Sequence, residues 1–460
     1  MDRFDKIDSI IDSMKDEMVE TLQKWIRIPS LKAEPQPDAP FGTEIRKALD
    51  TAVEDCKRLG FQTEIFDGYA AHADLGEGDD KEALGILAHL DVVPEGDGWI
   101  YPPYGAEIHD GRMYGRGTSD DKGPAVAALY AMKAVQMAGI PLRRKVRLIL
   151  GCDEESGSAC MDYYKKVATM PRTGFSPDAS YPIINIEKGI LRVVLRSKLS
   201  EEGLQVVSFN TGLRPNVVPG KASAVVRGGQ EIIEQVSSIS EKLGFPVSAE
   251  MKDDGTAEIT AIGINGHAAY PELARNAIGE MLLVLRELGV QGALRTLADK
   301  VGMEYNGASM QIALEDCISG ILTCNIGIIR ADENGVSATL DIRYPVMTNP
   351  KMVVKNIIAS FPGFEVVPSD PNEPHYIPES SELVQKLLDA YCEVTGYERK
   401  CLYTGGGTYA RELEEGVAFG AGFPQDEDLA HQANEYIAIE NISKNVKIFA
   451  SAIVKLAGKA

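Results

Sequence analysis

At 460 residues the chain can hold two domains and a large core, and a composition of 44% hydrophobic and 25% charged residues is that of an ordinary soluble globular protein. A formal charge of −21 argues against nucleic acid or an anionic membrane as partner, since both reward clustered Lys and Arg. Seven scattered Cys without a CxxC or CxxxC pair read as reduced thiols, not as a disulfide framework or a thiolate zinc site.

The N-terminus carries acids from Asp2 onward, without the basic and then apolar plan of a signal peptide, and no apolar run approaches membrane-spanning length. A cytoplasmic protein is expected. Residues 4–28 read as one amphipathic helix: Ile7, Ile10, Ile11, Met14, Met18, Leu22, Trp25 and Ile26 recur at three and four, and Pro29 ends the run. A second helix is expected over 43–59 with Gly60 as its C-cap, then strands over 62–66 and 71–75. The apolar run Gly85–Ala88 of GILAHLD reads as a buried strand. His89 falls at its C-terminal end, where open α/β sheets place ligand-handling residues, and Asp91 follows two residues later. Such a pair offers an imidazole to a metal with a carboxylate on the same side; taken alone, a core His capped by an acid fits equally well.

Residues 106–114 read as a hairpin around Asp110-Gly111, followed by a glycine-containing loop and a helix over 122–138. The GRG of that loop lacks the Gly-Lys-Ser/Thr of a phosphate loop, and two acids would repel phosphate. Those acids, Asp120 and Asp121, stand at a helix entry, where N-caps and metal ligands both belong. The strand 144–150 runs into GCDEESGS with its adjacent Glu154 and Glu155, and Asp178 precedes a third strand over 181–186.

From Gly189 to about Tyr376 the texture changes to strands and hairpins with two helical blocks, near 231–243 and 275–288. The α/β pattern resumes with a helix over 381–395, the glycine run of TGGGTYAREL, a strand over 417–420, His431 in LAHQANEYI, and a closing helix over 439–456. The expected fold is therefore α/β: an α/β/α domain with a mostly central β-sheet (1–187 and 381–460), interrupted by an inserted α+β domain (188–380).

His89, Asp120, Glu155, Asp178 and His431 each lie at a strand end or in the loop beyond one. Two His and three carboxylates suit a pair of divalent cations bridged by one acid and a water. Glu154 is then a spare carboxylate suited to general-base work, and Asp91 is expected to hydrogen-bond the far nitrogen of His89 and fix its tautomer. Zinc fits these ligands best, and manganese or cobalt is also tolerated. His72, His109 and His375 lack such company.

HLDVVP, GRGTSDDKG, DEESGS, SPDASYP and AHQANEY, in this order, resemble the co-catalytic metallopeptidase family of aminoacylases, glutamate carboxypeptidase, succinyl-diaminopimelate desuccinylase and carnosinases. GRGTSDDKGP, GGGTYAREL and the long insert resemble the PepV-type dipeptidases most. The resemblance implies His89 and Asp178 on one metal, Glu155 and His431 on the other, and Asp120 between them. It also implies a cis peptide from Asp120 to Asp121. Glu154 would activate the bridging water and later protonate the leaving amine. NGHAAYPELARNA resembles the lid motif that places His267 over the scissile carbonyl as an oxyanion donor. RPNVVPG and LDIRYPV match the segments supplying Asn216 and Arg343 to the substrate, Arg343 to its terminal carboxylate. The implied function is hydrolysis of dipeptides with free amino and carboxyl termini; the alternative is an N-acyl-amino-acid deacylase or desuccinylase on the same site. Small dipeptides are the expected partners. A monomer is expected, with a homodimer as the alternative; with a second lobe in its insert, His267 would serve its own chain.

Overall fold

The computed structural model describes residues 3–459. Contacts divide the chain into two compact units: unit 1 comprises residues up to Asn185, Ile377–Leu402 and the chain from Gly407, and unit 2 comprises Ile186–Tyr376 and Tyr403–Gly406. The glycine run of TGGGTYAREL is thus shared between the units, whereas the sequence places it wholly in the first. A four-residue excursion is too short to alter the periodicity on which a sequence-based boundary rests.

Unit 1 is built on a mixed sheet whose order begins Gln62–Phe66, Ala70–Leu75, Val146–Gly151, Leu84–His89, Thr173–Ser176, Glu415–Ala418 and continues with Ile184–Glu187, antiparallel to the last of these. The four strands from Val146–Gly151 to Glu415–Ala418 run parallel, and the first two are antiparallel additions. Leu84–His89 and Val146–Gly151 are buried throughout, as strands covered on both faces must be. Gly174 is required by a close approach: a Cβ there would lie 2.0 Å from the Gly85 carbonyl oxygen of the neighbouring strand. Because these strands are parallel, their carboxyl ends share one edge, and His89 and the loops after Gly151, Ser176 and Ala418 all leave from it.

Helix Lys122–Met137 packs on the central strands and against the closing helix Ile439–Ala457. The expected N-terminal helix is two, Arg3–Ser13 and Lys15–Ile26. The break follows from Ser13, whose Oγ donates back to the Ile10 carbonyl, and from Met14, whose N–H reaches Ile11 rather than Ile10. Lys122, fully buried, donates from Nζ to the carbonyls of Trp25 and Ile28 and closes the end of the second helix. The hairpin Glu107–His109/Arg112–Tyr114 turns at Asp110 and Gly111, both at positive φ (49° and 74°), the conformation a two-residue turn demands.

Unit 2 is an eight-stranded antiparallel sheet in the order Val247–Met251, Thr256–Ile262, Lys221–Arg227, Val206–Thr211, Thr323–Asp332, Gly335–Tyr344, Gly189–Ser197, Glu365–Pro368. Alternate burial along Lys221–Arg227 and Thr256–Ile262 marks a sheet with one packed face. Four helices accompany it, Gln230–Leu243, Ala277–Glu287, Gly292–Lys300 and Pro350–Ser360, where the sequence suggests two. The helix Gly292–Lys300 has too few turns to show a clear period. That at Pro350 carries a legible start, with Pro first and the Asn349 side chain accepting from Lys351 N. No helix of the described residues is long and apolar enough to cross a membrane.

Candidate metal centre

His89 closes a central strand, 1% exposed in its side chain. Its Nδ1 lies 2.9 Å from the Asp91 backbone carbonyl, which can only accept. A singly protonated ring therefore keeps its proton on Nδ1 and turns the Nε2 lone pair to the open edge of the sheet. Burial is outweighed here by Asp120 and Asp91, which hold the imidazole well above its usual range. The Asp91 carboxylate faces the same nitrogen from farther off, 3.5 Å from Nδ1, and also accepts from two backbone N–H groups, Glu154 N at Oδ1 and Glu155 N at Oδ2, both 3.1 Å. A carboxylate beside two unpaired N–H groups of a tight loop is drawn to them, and the neighbouring carbonyl takes the imidazole. Asp91 thus sets the spacing of the adjacent pair of glutamates.

Asp120 uses its two oxygens separately: Oδ1 is 3.0 Å from His89 Nε2, and Oδ2 is 3.0 Å from His431 Nε2. Glu155 Oε1 lies 3.1 Å from His431 Nε2, and Asp178 Oδ2 lies 3.8 Å from His89 Nε2. Two groups have ligand atoms within 4.8 Å of one another, His89 with Glu154 and Asp178, and Asp120 with Glu155 and His431. All five ligands expected from the sequence therefore converge, joined by Glu154. The peptide from Asp120 to Asp121 is cis. Asp121 turns inward, its Oδ2 accepting from His89 N at 3.0 Å.

Electrostatics favour a divalent cation here. Burial, reinforced by neighbouring carboxylates, pushes Glu154, Glu155 and Asp178 above the usual carboxylate range. Burial opposes charge on His431, but Asp120 and Glu155 carry it up to about 11. Four carboxylates crowded around two imidazoles resist ionising together, a repulsion that a divalent cation would relieve, and hard oxygen and imidazole donors are the ligand types of zinc, manganese and cobalt.

The remaining expected residues lie in unit 2. The two-stranded pairing Val217↔His267, Val218↔Gly266 and the bond from Ala268 N to the Asn216 carbonyl set Asn216 beside His267. His267 Nδ1 accepts from Ala269 N at 3.2 Å, so a neutral ring carries its proton on Nε2. Arg343 is 3% exposed, pairs with Asp341 through Nε (2.5 Å) and Nη2 (3.2 Å), and donates from Nη1 to the Gly405 carbonyl. Sequence inspection misses Asn325 and Asn276. Asn325 Nδ2 holds the Pro215 and Val217 carbonyls, on either side of Asn216, and its Oδ1 accepts from Asn276 Nδ2. Asn276, at the end of the NGHAAYPELARNA motif, also caps the helix Ala277–Glu287.

The sequence profile of peptidase family M20/M25/M40 matches residues 85–455, from the strand of His89 into the closing helix. The chain belongs to peptidase family M20/M25/M40. Within the family it is similar to the putative dipeptidase YtjP of Bacillus subtilis (strain 168), 38% identical over 456 residues, covering 96% of this chain and 98% of that protein. It is 34% identical over 463 residues to the Beta-Ala-Xaa dipeptidase of Lactobacillus delbrueckii subsp. lactis, covering 97% of each. In fold it resembles the crystal structure of human carnosine dipeptidase 1, with a TM-score of 0.61, 18% identity, and 98% of each chain covered.

Proposed function

We propose that this M20-family protein is a metal-dependent dipeptidase, cleaving the peptide bond of dipeptides whose amino and carboxyl termini are both free. The observation that carries the proposal is the convergence of two His and four carboxylates on the carboxyl edge of the parallel strands, with Asp120 facing both imidazoles. His89 and Asp178 would hold one divalent cation, Glu155 and His431 a second, and Asp120 both. Zinc is the proposed metal. When bound, such a pair polarises a carbonyl and makes water acidic near neutral pH.

The chain's own residues do the rest. Glu154, raised by burial, accepts a proton from the attacking water and returns it to the departing amine. Asp91 holds the backbone from which Glu154 reaches in. His267 donates from Nε2 to the oxygen of the scissile carbonyl as it becomes negative, Asn216 binds the substrate beside it, and Arg343 meets the terminal carboxylate with the N–H groups left over from Asp341 and Gly405. A single chain is the proposed active form. A cytoplasmic location belongs to the same proposal, supported by seven cysteines that are all unpaired.

The test is a panel of α-dipeptides, β-alanyl dipeptides, tripeptides and N-acyl amino acids, assayed after chelation and after return of zinc, manganese or cobalt. Metal-dependent cleavage confined to dipeptides with both termini free is expected. Faster turnover of N-acyl amino acids would replace the proposal with a deacylase.

A further inference from the structure

Glu435 is a fully buried carboxylate, 0% exposed, and it has no part in the chemistry above. It stands four residues after His431 and directly before the strand Tyr436–Ala438. Its Oε1 accepts from Ser119 N (2.8 Å), Ser119 Oγ (3.0 Å), Gly117 N (3.1 Å) and Asp120 N (3.2 Å), and its Oε2 from Arg116 Nη1 (2.7 Å). Arg116, equally buried, goes on to the carbonyls of Gln432 and Glu95, each at 3.2 Å. One carboxylate therefore gathers the loop that carries Asp120 into the loop that carries His431.

Outside the strands these loops have few backbone bonds of their own, among them Gly115 N to the Glu435 carbonyl, Thr118 N to that of Gly115 and Gln432 N to that of Leu429. Gly117 is at φ +90°, and His431 and Asn434 sit at φ 63° and 65°, a region non-glycine residues seldom occupy. A buried carboxylate is costly unless its lone pairs are filled, and here they are filled by three backbone N–H groups of residues 117–120 together with the Ser119 hydroxyl and the Arg116 guanidinium. That arrangement specifies a backbone course. The Asp120 N–H points to Glu435 while the Asp120 carboxylate points to His89 and His431, so moving one end of this residue moves the other.

We infer that Glu435 is a positioning residue that couples the two halves of the metal centre, holding the bridging Asp120 in register with His431. It touches neither cation nor substrate. The inference rests on the two-cation proposal above, and the test separates them. Zinc binding to the whole purified protein is followed by equilibrium dialysis against buffered free zinc, and the cobalt(II)-loaded protein by its visible absorption. Wild type, Glu435→Ala, Glu435→Gln, Ser119→Ala and Asp74→Asn are compared. Asp74→Asn removes a buried partner of Arg147 far along the same sheet and controls for lost stability.

Wild type is expected to bind two equivalents. In Glu435→Ala the weaker equivalent should lose affinity by about 10–100-fold, the usual effect of removing a group behind a ligand, with a changed cobalt spectrum. Glu435→Gln keeps an oxygen for the backbone but not the charge facing Arg116, and should fall between. Asp74→Asn should lower the melting temperature and leave the zinc curve in place. A folded Glu435→Ala with wild-type zinc affinities and spectrum overturns the inference. If that variant does not fold, Glu435→Gln and Ser119→Ala decide, and unchanged binding in both overturns it. A wild type that binds fewer than two equivalents fails the two-cation proposal before any substitution is read, and the inference with it.

Discussion

Glu154 and Glu155 are neighbours in the chain, and their backbone N–H groups share one carboxylate, yet their side chains face different groups. Glu155 meets His431, while Glu154 lies with His89 and Asp178, close enough to be a ligand itself. The proposed division of labour predicts that Glu154→Ala keeps two metal equivalents and loses turnover by about 10²–10⁴-fold, the usual contribution of a general base. Glu155→Ala should lose one equivalent. Metal analysis of the two variants decides, and a missing equivalent in Glu154→Ala would make Glu154 a ligand. Arg343 calls for a more careful substitution. Removing it leaves Asp341, 0% exposed, with only Arg192 Nε at 3.6 Å, and breaking a buried pair costs about 3–5 kcal/mol. Arg343→Ala should therefore melt lower as well as lose its preference for free dipeptides over dipeptide amides. Pairing it with Asp341→Asn should restore the melting temperature and not the preference; a double variant that regains both would refute contact with the terminal carboxylate.

Strand Ala70–Leu75 shows how an element creates a pH response away from the metal centre. It carries His72 into the core, Nδ1 2.9 Å from Tyr164 Oη and the ring packed against Phe66. Burial, and then the charge of Arg147, push His72 down to about 4. In the unfolded chain the ring titrates near its ordinary value of about 6.5, so between these values the unfolded state binds a proton that the folded state refuses. Stability from this group is whole above about 6.5 and is lost as pH falls towards 4, by roughly 3 kcal/mol in all. Urea unfolding of wild type and His72→Gln at pH 7, 5.5 and 4 checks this. The gap between the two should change in favour of the variant as pH falls, and parallel curves would rule out His72 as the source.

Across the whole molecule, each unit has its own hydrophobic core, one from Ile7 to Ala457 in unit 1 and one from Leu191 to Phe361 in unit 2. Both tryptophans, Trp25 and Trp99, belong to unit 1, as do all the candidate ligands. Tryptophan fluorescence therefore reports the unit that would bind the cations. A ligand held only by the folded state adds about 2.7 kcal/mol at a hundredfold excess over its Kd, so zinc should raise the fluorescence melt and a chelator should lower it. Glu155→Ala should blunt the response. A fluorescence melt indifferent to zinc and chelator in wild type would count against cations in unit 1.

Much of this protein is legible in its sequence because burial and termination are local. Apolar runs closed by breakers mark the strands that end at His89 and Gly151, and the residues just past them are ligand candidates wherever parallel strands share a carboxyl edge. The motifs point to His89, Asp120, Glu154, Glu155, Asp178 and His431, and the fold draws the six together. What no periodicity encodes is which distant group a buried polar atom will choose. Arg116 finds Glu435 from 319 residues away, Asn325 reaches the carbonyls beside Asn216 from more than 100, and Asp91 holds N–H groups 63 and 64 residues on. Hydrogen-bond satisfaction is decided only when packing has removed water, and every donor must then take the acceptor the tertiary structure leaves within reach.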